Sequence, residues 1–483
     1  MGTTSNVSAS KRIEALLDDN SFVEIGNLVT ARNTDFNLSE KETPADGVIT
    51  GYGLINGCLV YVYSQDVSVL GGSVGEMHSK KIVRLYDMAM KMGAPVIGLL
   101  DSAGLRLQEA TDALHAFGEV YAKQAMASGV IPQISAVFGN CGGGLSILTE
   151  LTDFTFMSDG AHLFVNAPNA LDGNNKDKCD SSAVKFQMED AGNVDVAGDE
   201  DTVLAKIREL VAMLPANNED DMSYAETTDE LNRSCVSIDT MSGDTALALT
   251  EISDGHVFYE LKKDYAKSMV TGFIRLNGAT VGAVANRTEV YDDEMNKVEE
   301  FDGTLTVNAC EKAAAFVEFC DAFNIPVLTL TNVKGFKACM CQEKRIAKAA
   351  AKLTYAFANA TVPKVNVIVN EAYGTGYSIM NSKALGADMV YAWPDTKIGM
   401  MNSDSAARIM YADEIAKAKS ANTMIAEKAN AYEELQLSVN SAARRGYVDT
   451  IIEPADTRKY VIGAFEMLYT KREDRPVKKH GTI

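Results

Sequence analysis

Two stretches of this sequence carry the residue types from which a main-chain oxyanion site can be made. Ile131 to Phe156, IPQISAVFGNCGGGLSILTELTDFTF, opens with an apolar β-type run from Ile134 to Phe138. It breaks at Gly139-Asn140-Cys141-Gly142-Gly143-Gly144 and resumes as a helix-like segment from Leu145. Strand, glycine turn and helix start leave unpaired N–H groups at the helix N-terminus, all pointing one way. Glycine there permits positive φ and lets a ligand carbonyl approach the backbone. Donors so placed stabilise negative charge developing on a thioester or ureido oxygen. Thr361 to Met380, TVPKVNVIVNEAYGTGYSIM, has the same layout around Gly374-Thr375-Gly376. One such turn also occurs as plain structure, so the pair is the stronger signal. With five histidines and no triad candidate, side-chain nucleophilic chemistry has little support.

The two turns belong to a longer repeat. Pro132 and Pro363 lie 231 residues apart, and the same spacing separates Pro95 from Pro326 within APVIGLLDSAG (Ala94 to Gly104) and IPVLTLTNVKG (Ile325 to Gly335). Upstream, TGYGLING from Thr50 resembles TGFIRLNG from Thr271, and DDNSFVE from Asp18 resembles SDGHVFYE from Ser253. Four matching segments in a fixed order indicate a duplicated domain. A chain of 483 residues suits two domains of about 200 residues or more. The expected limits are 1–230 and 245–483, with acidic linker text (NNEDD, ETTDE) running from Pro215 to Asp244.

The elements that must hold these turns follow from pattern. Ser10 to Leu17 predicts an amphipathic helix, and Gly47 to Gln65 a hairpin about Ile55-Asn56-Gly57. A glycine loop from Gly71 leads into a helix burying Ile82, Leu85, Tyr86, Ala89 and Met92. Within it Ala89-Met90-Lys91-Met92 spells the biotin-attachment tetrapeptide, but Lys91 continues a polar helical stripe with Lys80, Arg84 and Asp87, where attachment needs a hairpin tip. Ala94 to Leu100 reads as a buried parallel strand, followed by the loop DSAGLRLQE and a helix through Met126. Asp101, Arg106 and Glu109 in that loop fit either catalysis or loop fixing by salt bridges and capping. Asn169 to Gly198 is polar and aperiodic, the text of a surface excursion, and Thr202 to Leu214 is helical. In the second copy a helix, Glu311 to Phe323, precedes a strand, Pro326 to Leu330, and the loop NVKGFKACMCQEK. Cys339-x-Cys341 there lacks the second ligand pair of a closed zinc site, so no metal is expected. Ile415 to Arg445 reads as a charged helical hairpin. Strand and helix alternating with short connections make an α/β chain with largely parallel sheets.

Composition bounds the function. Hydrophobic residues at 46% with 7% aromatics fit a globular chain, and no apolar run reaches the ~20 residues of a membrane span, so the chain is not expected to be transmembrane. No signal-peptide pattern opens it. A net charge of −21 argues against a nucleic-acid partner. Eight scattered cysteines read as reduced and the protein as cytoplasmic.

The text ADGVITGYG, SQDVSVLGGSVGEMHSKKI, DSAGLRLQE, GNCGGG, EKAAAFVEFCDAFNIPV, ATVPKVNVIV, LGADMVYAWP, RGYVDTIIEP and KKHG, in that order, resembles one family over nearly the whole chain. It is that of the carboxyltransferase subunits of biotin-dependent acyl-CoA carboxylases and decarboxylases, of the propionyl-CoA carboxylase β and methylmalonyl-CoA decarboxylase α types. The resemblance implies two tandem crotonase-like ββα spiral domains. It implies transfer of a carboxyl group between carboxybiotin and the α-carbon of a short acyl-CoA. The N-half would bind the coenzyme A thioester, with Gly143 and Gly144 as donors. The C-half would receive biotin from a separate carrier domain, with Gly374, Thr375 and Gly376 facing the ureido oxygen. By position, Gly71, Gly72, Ala103, Gly104, Gly142, Gly335, Phe336 and Ser378 would line the substrates. Implied partners are a biotin carboxyl carrier protein, biotin carboxylase or membrane decarboxylase subunits, and further copies of the chain in a homo-oligomer, a hexameric ring.

Several loops depart from that pattern. The second turn has Thr375 where the family has glycine, which implies a strained left-handed threonine. Ser378 replaces a variable residue, often Asp, and the family's DVPGF loop is Asn332-Val333-Lys334-Gly335-Phe336 followed by KACMCQEKRIAKAAAK. A non-catalytic structural or regulatory paralogue and a biotin-independent crotonase-type hydrolase or lyase are the alternative readings.

Overall fold

The computed structural model describes residues 8–32, 36, 38–221, 223–292, 294–476, 478 and 480–481. The first seven residues, where a leader pattern was sought, and Lys479 of the KKHG stretch lie outside the described residues.

The chain divides between Ser223 and Tyr224 into two compact units. The acidic stretch read as a linker is therefore partly structure. Cys235 and Ile238 are buried in the second unit, and the Cys235 N–H donates to the Ala455 carbonyl at 2.9 Å.

In the first unit a seven-stranded sheet runs in the order Val23–Ile25, Val48–Ile55, Cys58–Gln65, Val96–Leu100, Gln133–Val137, Phe154–Ser158, Val196–Gly198. The first two pairings are antiparallel and the remaining four parallel. Asn56 and Gly57, with φ of 50° and 80°, close the hairpin between the second and third strands as a primed turn, whose twist suits the flanking strands. Every residue of Val96–Leu100 and Gln133–Val137 is buried, as a parallel strand covered on both faces requires. The helix Glu76–Met92 buries Ile82, Leu85, Tyr86 and Ala89 and stops at left-handed Gly93. Met92 is exposed, against expectation, because the helix ends there; Lys91 is also exposed and on a helix, not a hairpin tip.

The second unit repeats this plan. Its main sheet runs Phe258–Leu261, Met269–Leu276, Ala279–Asn286, Val327–Val333, Lys364–Tyr373, Met389–Ala392, Thr450–Ile451, again two antiparallel pairings and then parallel ones. Its hairpin closes on Asn277-Gly278, with φ of 52° and 79°. The two inner parallel strands start 231 residues after their counterparts, Val96 to Val327 and Gln133 to Lys364.

Two expectations change. Asn169 to Gly198 is not only a surface excursion: a π-helical turn, Phe186–Ala191, presents Gln187 to the Leu163 and Ser181 carbonyls at 3.0 and 2.7 Å. Val196–Gly198 then adds the last strand of the sheet. The region Ile415 to Arg445 is a set of short helices, Ala412–Lys417, Ala421–Tyr432 and Val439–Arg444, broken by Ala418 to Ser420 and by a π-helical turn at Glu433–Leu437.

Candidate active site: two backbone turns

In the first unit, Gln133–Val137 leads to a short strand, Asn140–Gly142, paired in parallel with His162–Phe164. The chain then turns at Gly143 (φ 61°, ψ −125°) and starts the helix Gly144–Glu150. That backbone geometry is reserved almost entirely for glycine. Its neighbours are glycines for a different reason. A Cβ on Gly142 would sit 2.7 Å from the Phe164 ring, and one on Gly144 would sit 2.8 Å from the Tyr121 hydroxyl. Tyr121 in turn donates to the Gly144 carbonyl at 2.6 Å, a support that helical spacing alone did not single out.

The expected donors need one correction. The Gly143 N–H already donates to the Phe164 carbonyl at 2.9 Å. Gly143 therefore shapes the turn, while the N–H groups of the first helical residues, Gly144 and Leu145, are those that a helix leaves without internal partners.

Gly71, Gly72, Ala103 and Gly104 come together beside this turn. The Ala103 N–H donates to the Gly71 carbonyl and Val74 N–H to the Gly104 carbonyl, both at 2.9 Å. Ser102 ties the two loops to the turn, its hydroxyl donating to the Gly72 carbonyl at 2.7 Å and its N–H to the Asn140 carbonyl at 2.9 Å. A Cβ on Gly72 would meet the Asp101 carbonyl at 2.6 Å, so the loops pack backbone to backbone.

Of the two readings left for Asp101, Arg106 and Glu109, the geometry favours loop fixing. Fully buried Arg106 binds Asp46 at 2.6 Å, Glu109 at 2.9 Å and the Ser73 carbonyl at 2.6 Å. Glu109 also accepts the Glu76 N–H at 2.6 Å and so caps the start of the helix Glu76–Met92. Burial pushes the Asp46 carboxyl up, against the opposing pull of Arg106. His78, beside Asp46, is driven down to about 3 by burial and by the Arg106 charge, and is neutral. Its Nδ1–H donates to the Asp46 carbonyl at 3.0 Å and its Nε2 accepts from Gln65 at 3.3 Å. Asp101 lies under Gly139, 3.4 Å from Arg12, which also binds Glu200 at 3.0 Å. Desolvation raises its pKa and Arg12 opposes the rise.

The second unit rebuilds the turn in register. Lys364–Tyr373 pairs in parallel with Lys397–Gly399, Gly374 takes φ 63°, and the helix Gly374–Ile379 begins. Gly374 follows Gly143 by 231 positions, and Gly335 (φ 132°) follows Gly104 (φ 98°) by the same interval. Gly335 and Phe336 pair with Thr304 and Leu305, and a Cβ on Gly376 would meet the Gly335 Cα at 3.1 Å. Asn332 stands where the first unit has Asp101. Its amide donates to the Ser242 carbonyl at 3.2 Å and accepts the Glu371 N–H at 3.4 Å, two bonds that a carboxylate could not both make. Thr375 and Ser378 are exposed on one face of the short helix. Thr375 is absent from the residues with positive φ. The expected strained threonine is thus overturned: the left-handed position is Gly374, and Thr375 continues the helix.

The carboxyl transferase domain pattern matches residues 5–483. The chain belongs to the carboxyl transferase family. It is 41% identical over 490 residues to the propionyl-CoA carboxylase beta chain of Roseobacter denitrificans, covering 99% of this chain and 93% of that one. It is 40% identical to the methylmalonyl-CoA decarboxylase subunit alpha of Veillonella parvula, with the same coverage. A crystal structure of transcarboxylase 12S with methylmalonyl-coenzyme A and methylmalonic acid bound, described as a hexamer, superposes with a TM-score of 0.92 at 38% identity, over 99% of this chain and 92% of that one. The fold is accordingly the crotonase-like one, present in both units, and the chain is a carboxyltransferase of the propionyl-CoA carboxylase and methylmalonyl-CoA transcarboxylase type. Among the described residues no helix is long and apolar enough to cross a membrane, and no cluster of three or more His, Cys, Asp or Glu side chains could hold a metal ion.

Proposed function

We propose that this carboxyltransferase moves a carboxyl group between biotin, presented by a biotin carboxyl carrier protein, and the α-carbon of a propionyl- or methylmalonyl-type acyl-CoA. The observation that carries the reading is the recurrence of one left-handed glycine, Gly143 and Gly374, at the same register of both units, each followed by first-turn N–H groups. Relatives named for propionyl-CoA and methylmalonyl-CoA support the substrate class.

In this reading the first unit takes the thioester. The Gly144 and Leu145 N–H groups face the oxygen on which enolate charge grows, and the Gly71-Gly72 and Ala103-Gly104 loops line the approach. Removing one such donor typically costs ~3–4 kcal/mol of transition-state stabilisation. Biotin supplies the transferable carboxyl group at its ureido nitrogen when bound. The second unit fits its ureido oxygen with the Thr375 and Gly376 N–H groups. Gly374 and Gly376 leave no Cβ to crowd the turn, and Gly335, Phe336 and Ser378 border it. None of this chain's side chains is required as the proton acceptor, which suits turns lined by glycine. Full activity would need a homo-hexamer, biotin carboxylase or membrane decarboxylase subunits, and a cytoplasmic setting.

The test is incubation with free biotin and malonyl-, methylmalonyl- or glutaconyl-CoA, following CO2 release or transcarboxylation, together with sedimentation. Biotin-dependent turnover of methylmalonyl-CoA by an oligomer is expected. Turnover independent of biotin, or none in a correctly assembled oligomer, would overturn the assignment.

A further inference from the structure

The Cys339-x-Cys341 pair is left unused by the carboxyl-transfer reading, and it sits at the end of the segment that supports the second turn. From Gly335, which packs against Gly376, the chain runs through Phe336 and Lys337, whose N–H donates to the Leu305 carbonyl at 2.9 Å. It then reaches Cys339, the first residue before the short helix Met340–Glu343. The Cys339 and Cys341 sulfurs lie 2.7 Å apart, and Cys341 is exposed. Gln342, between them and the next helix, accepts the Val307 N–H at 2.6 Å and so ties the dithiol turn to the start of the helix Val307–Ala322.

We propose that Cys339 and Cys341 are a reversible disulfide-forming modification site whose oxidation alters the support of the Gly374-Thr375-Gly376 turn. The two thiols differ in the way such chemistry requires. The Cys341 thiol donates to Cys339, and the Gln342 N–H and the Lys337 charge add to that pull, so the Cys339 thiol is lowered from its ordinary value. Cys341 is raised by its thiolate neighbour. The thiolate is the attacking form. With a low-molecular-weight disulfide such as oxidised glutathione, the Cys339 thiolate attacks one sulfur, forming a mixed disulfide and expelling one glutathione thiolate. Cys341, on losing its proton to solvent, attacks the Cys339 sulfur and expels the second. Two protein thiols are oxidised and one external disulfide is reduced to two thiols.

Residues two apart are joined by two 3.8 Å Cα steps, which brings their Cα atoms within reach of a disulfide only when the intervening residue stays bent. The ring so formed is small and strained. Strained, exposed disulfides are the more easily reduced ones, so the pair stays as thiols in a reducing compartment and closes under oxidising conditions. Closure would fix the turn at Met340 and shift Gln342 relative to Val307.

The experiment treats the assembled protein with oxidised glutathione, then maps thiols by alkylation and peptide mass, with Cys341→Ser and Cys339→Ser as controls. Loss of two hydrogens on the 339–341 peptide, restored by dithiothreitol and absent from both variants, is expected. Stable glutathione adducts on Cys339 in the wild type, or an unmodified peptide, would overturn the proposal. Coupling to the second turn, which rests on the carboxyl-transfer reading for its importance but not for its measurement, is read by amide exchange. Altered exchange at residues 374–379 in the oxidised wild type but not in Cys341→Ser supports it, and unchanged exchange refutes it. A protein that closes the disulfide yet never turns over biotin would leave this site standing and remove the functional assignment alone.

Discussion

Replacing Gly143 by valine separates the cost of the turn's backbone from its chemistry. At φ 61° and ψ −125° a non-glycine residue is strained by about 1–3 kcal/mol. No atom lies within 4 Å of a Cβ built there, so the Cβ itself meets no clash and the backbone conformation carries its cost. Against a typical stability of about 5–15 kcal/mol the variant stays folded. If Gly143 sets the direction of the Gly144 and Leu145 N–H groups, misplacing one of them lowers turnover by roughly 10²–10³, and the valine branches stand where a thioester oxygen would approach. Gly57 supplies the control: its φ is 80°, a Cβ there also meets open space, and it sits in the hairpin turn between Val48–Ile55 and Cys58–Gln65. Gly57→Val likewise forces a side chain onto a positive φ, without touching the site. The assay is methylmalonyl-CoA-dependent carboxyl transfer beside urea denaturation for both variants. A folded, assembled Gly143→Val enzyme with wild-type turnover, or an equal loss in both variants, would refute the role given to this turn.

Thr375→Gly relieves no strain, since Thr375 is helical, so turnover should stay within about twofold while stability falls by up to about 1 kcal/mol; a gain in both would restore the strained-threonine expectation. Arg106→Met strands the carboxylates of Asp46 and Glu109 in a buried site and should cost about 3–5 kcal/mol, read as a lowered midpoint of thermal unfolding. His78 has its folded pKa depressed from 6.5 to about 3, so its stabilising contribution is present above pH 6.5 and is lost as pH falls towards 3. The unfolded chain binds the extra proton in that window, at about 1.4 kcal/mol per pH unit. Replacement by glutamine should flatten the stability–pH curve there, and an unchanged slope would show that His78 does not govern it.

Much of this was legible in the sequence because the parts concerned are backbone-driven. Pro95, Pro132, Gly104 and Gly143 recur at 231 residues, since a buried parallel strand followed by a left-handed turn leaves few residue choices. What was not legible depended on partners distant in sequence. Nothing in local pattern pairs Arg12 with Asp101 and Glu200. Nor does it make Asn332 the neutral counterpart of Asp101, a choice fixed by the Ser242 carbonyl. The π-helical turn at Phe186–Ala191 has no 3.6-residue period, and the strand after it has three residues, too few for alternation to register. Thr375 was misjudged because the left-handed residue is one position earlier.

The donors proposed for the two turns, the N–H groups of Gly144, Leu145, Thr375 and Gly376, are main-chain groups, and every residue but proline carries one. Alanine scanning would therefore report these turns through the glycines that shape them, Gly142, Gly143 and Gly144, and not through the donors themselves. What the sequence must keep is the glycine that lets the backbone take each shape, while the donating peptide groups themselves rest on no side chain. The direct way to remove a donor is atomic, replacing a single amide by an ester so that an oxygen takes the place of the N–H. A chemical-synthesis or suppressor-tRNA approach can thus interrogate one hydrogen of the polypeptide, where conventional mutagenesis reaches only the shape of the turn.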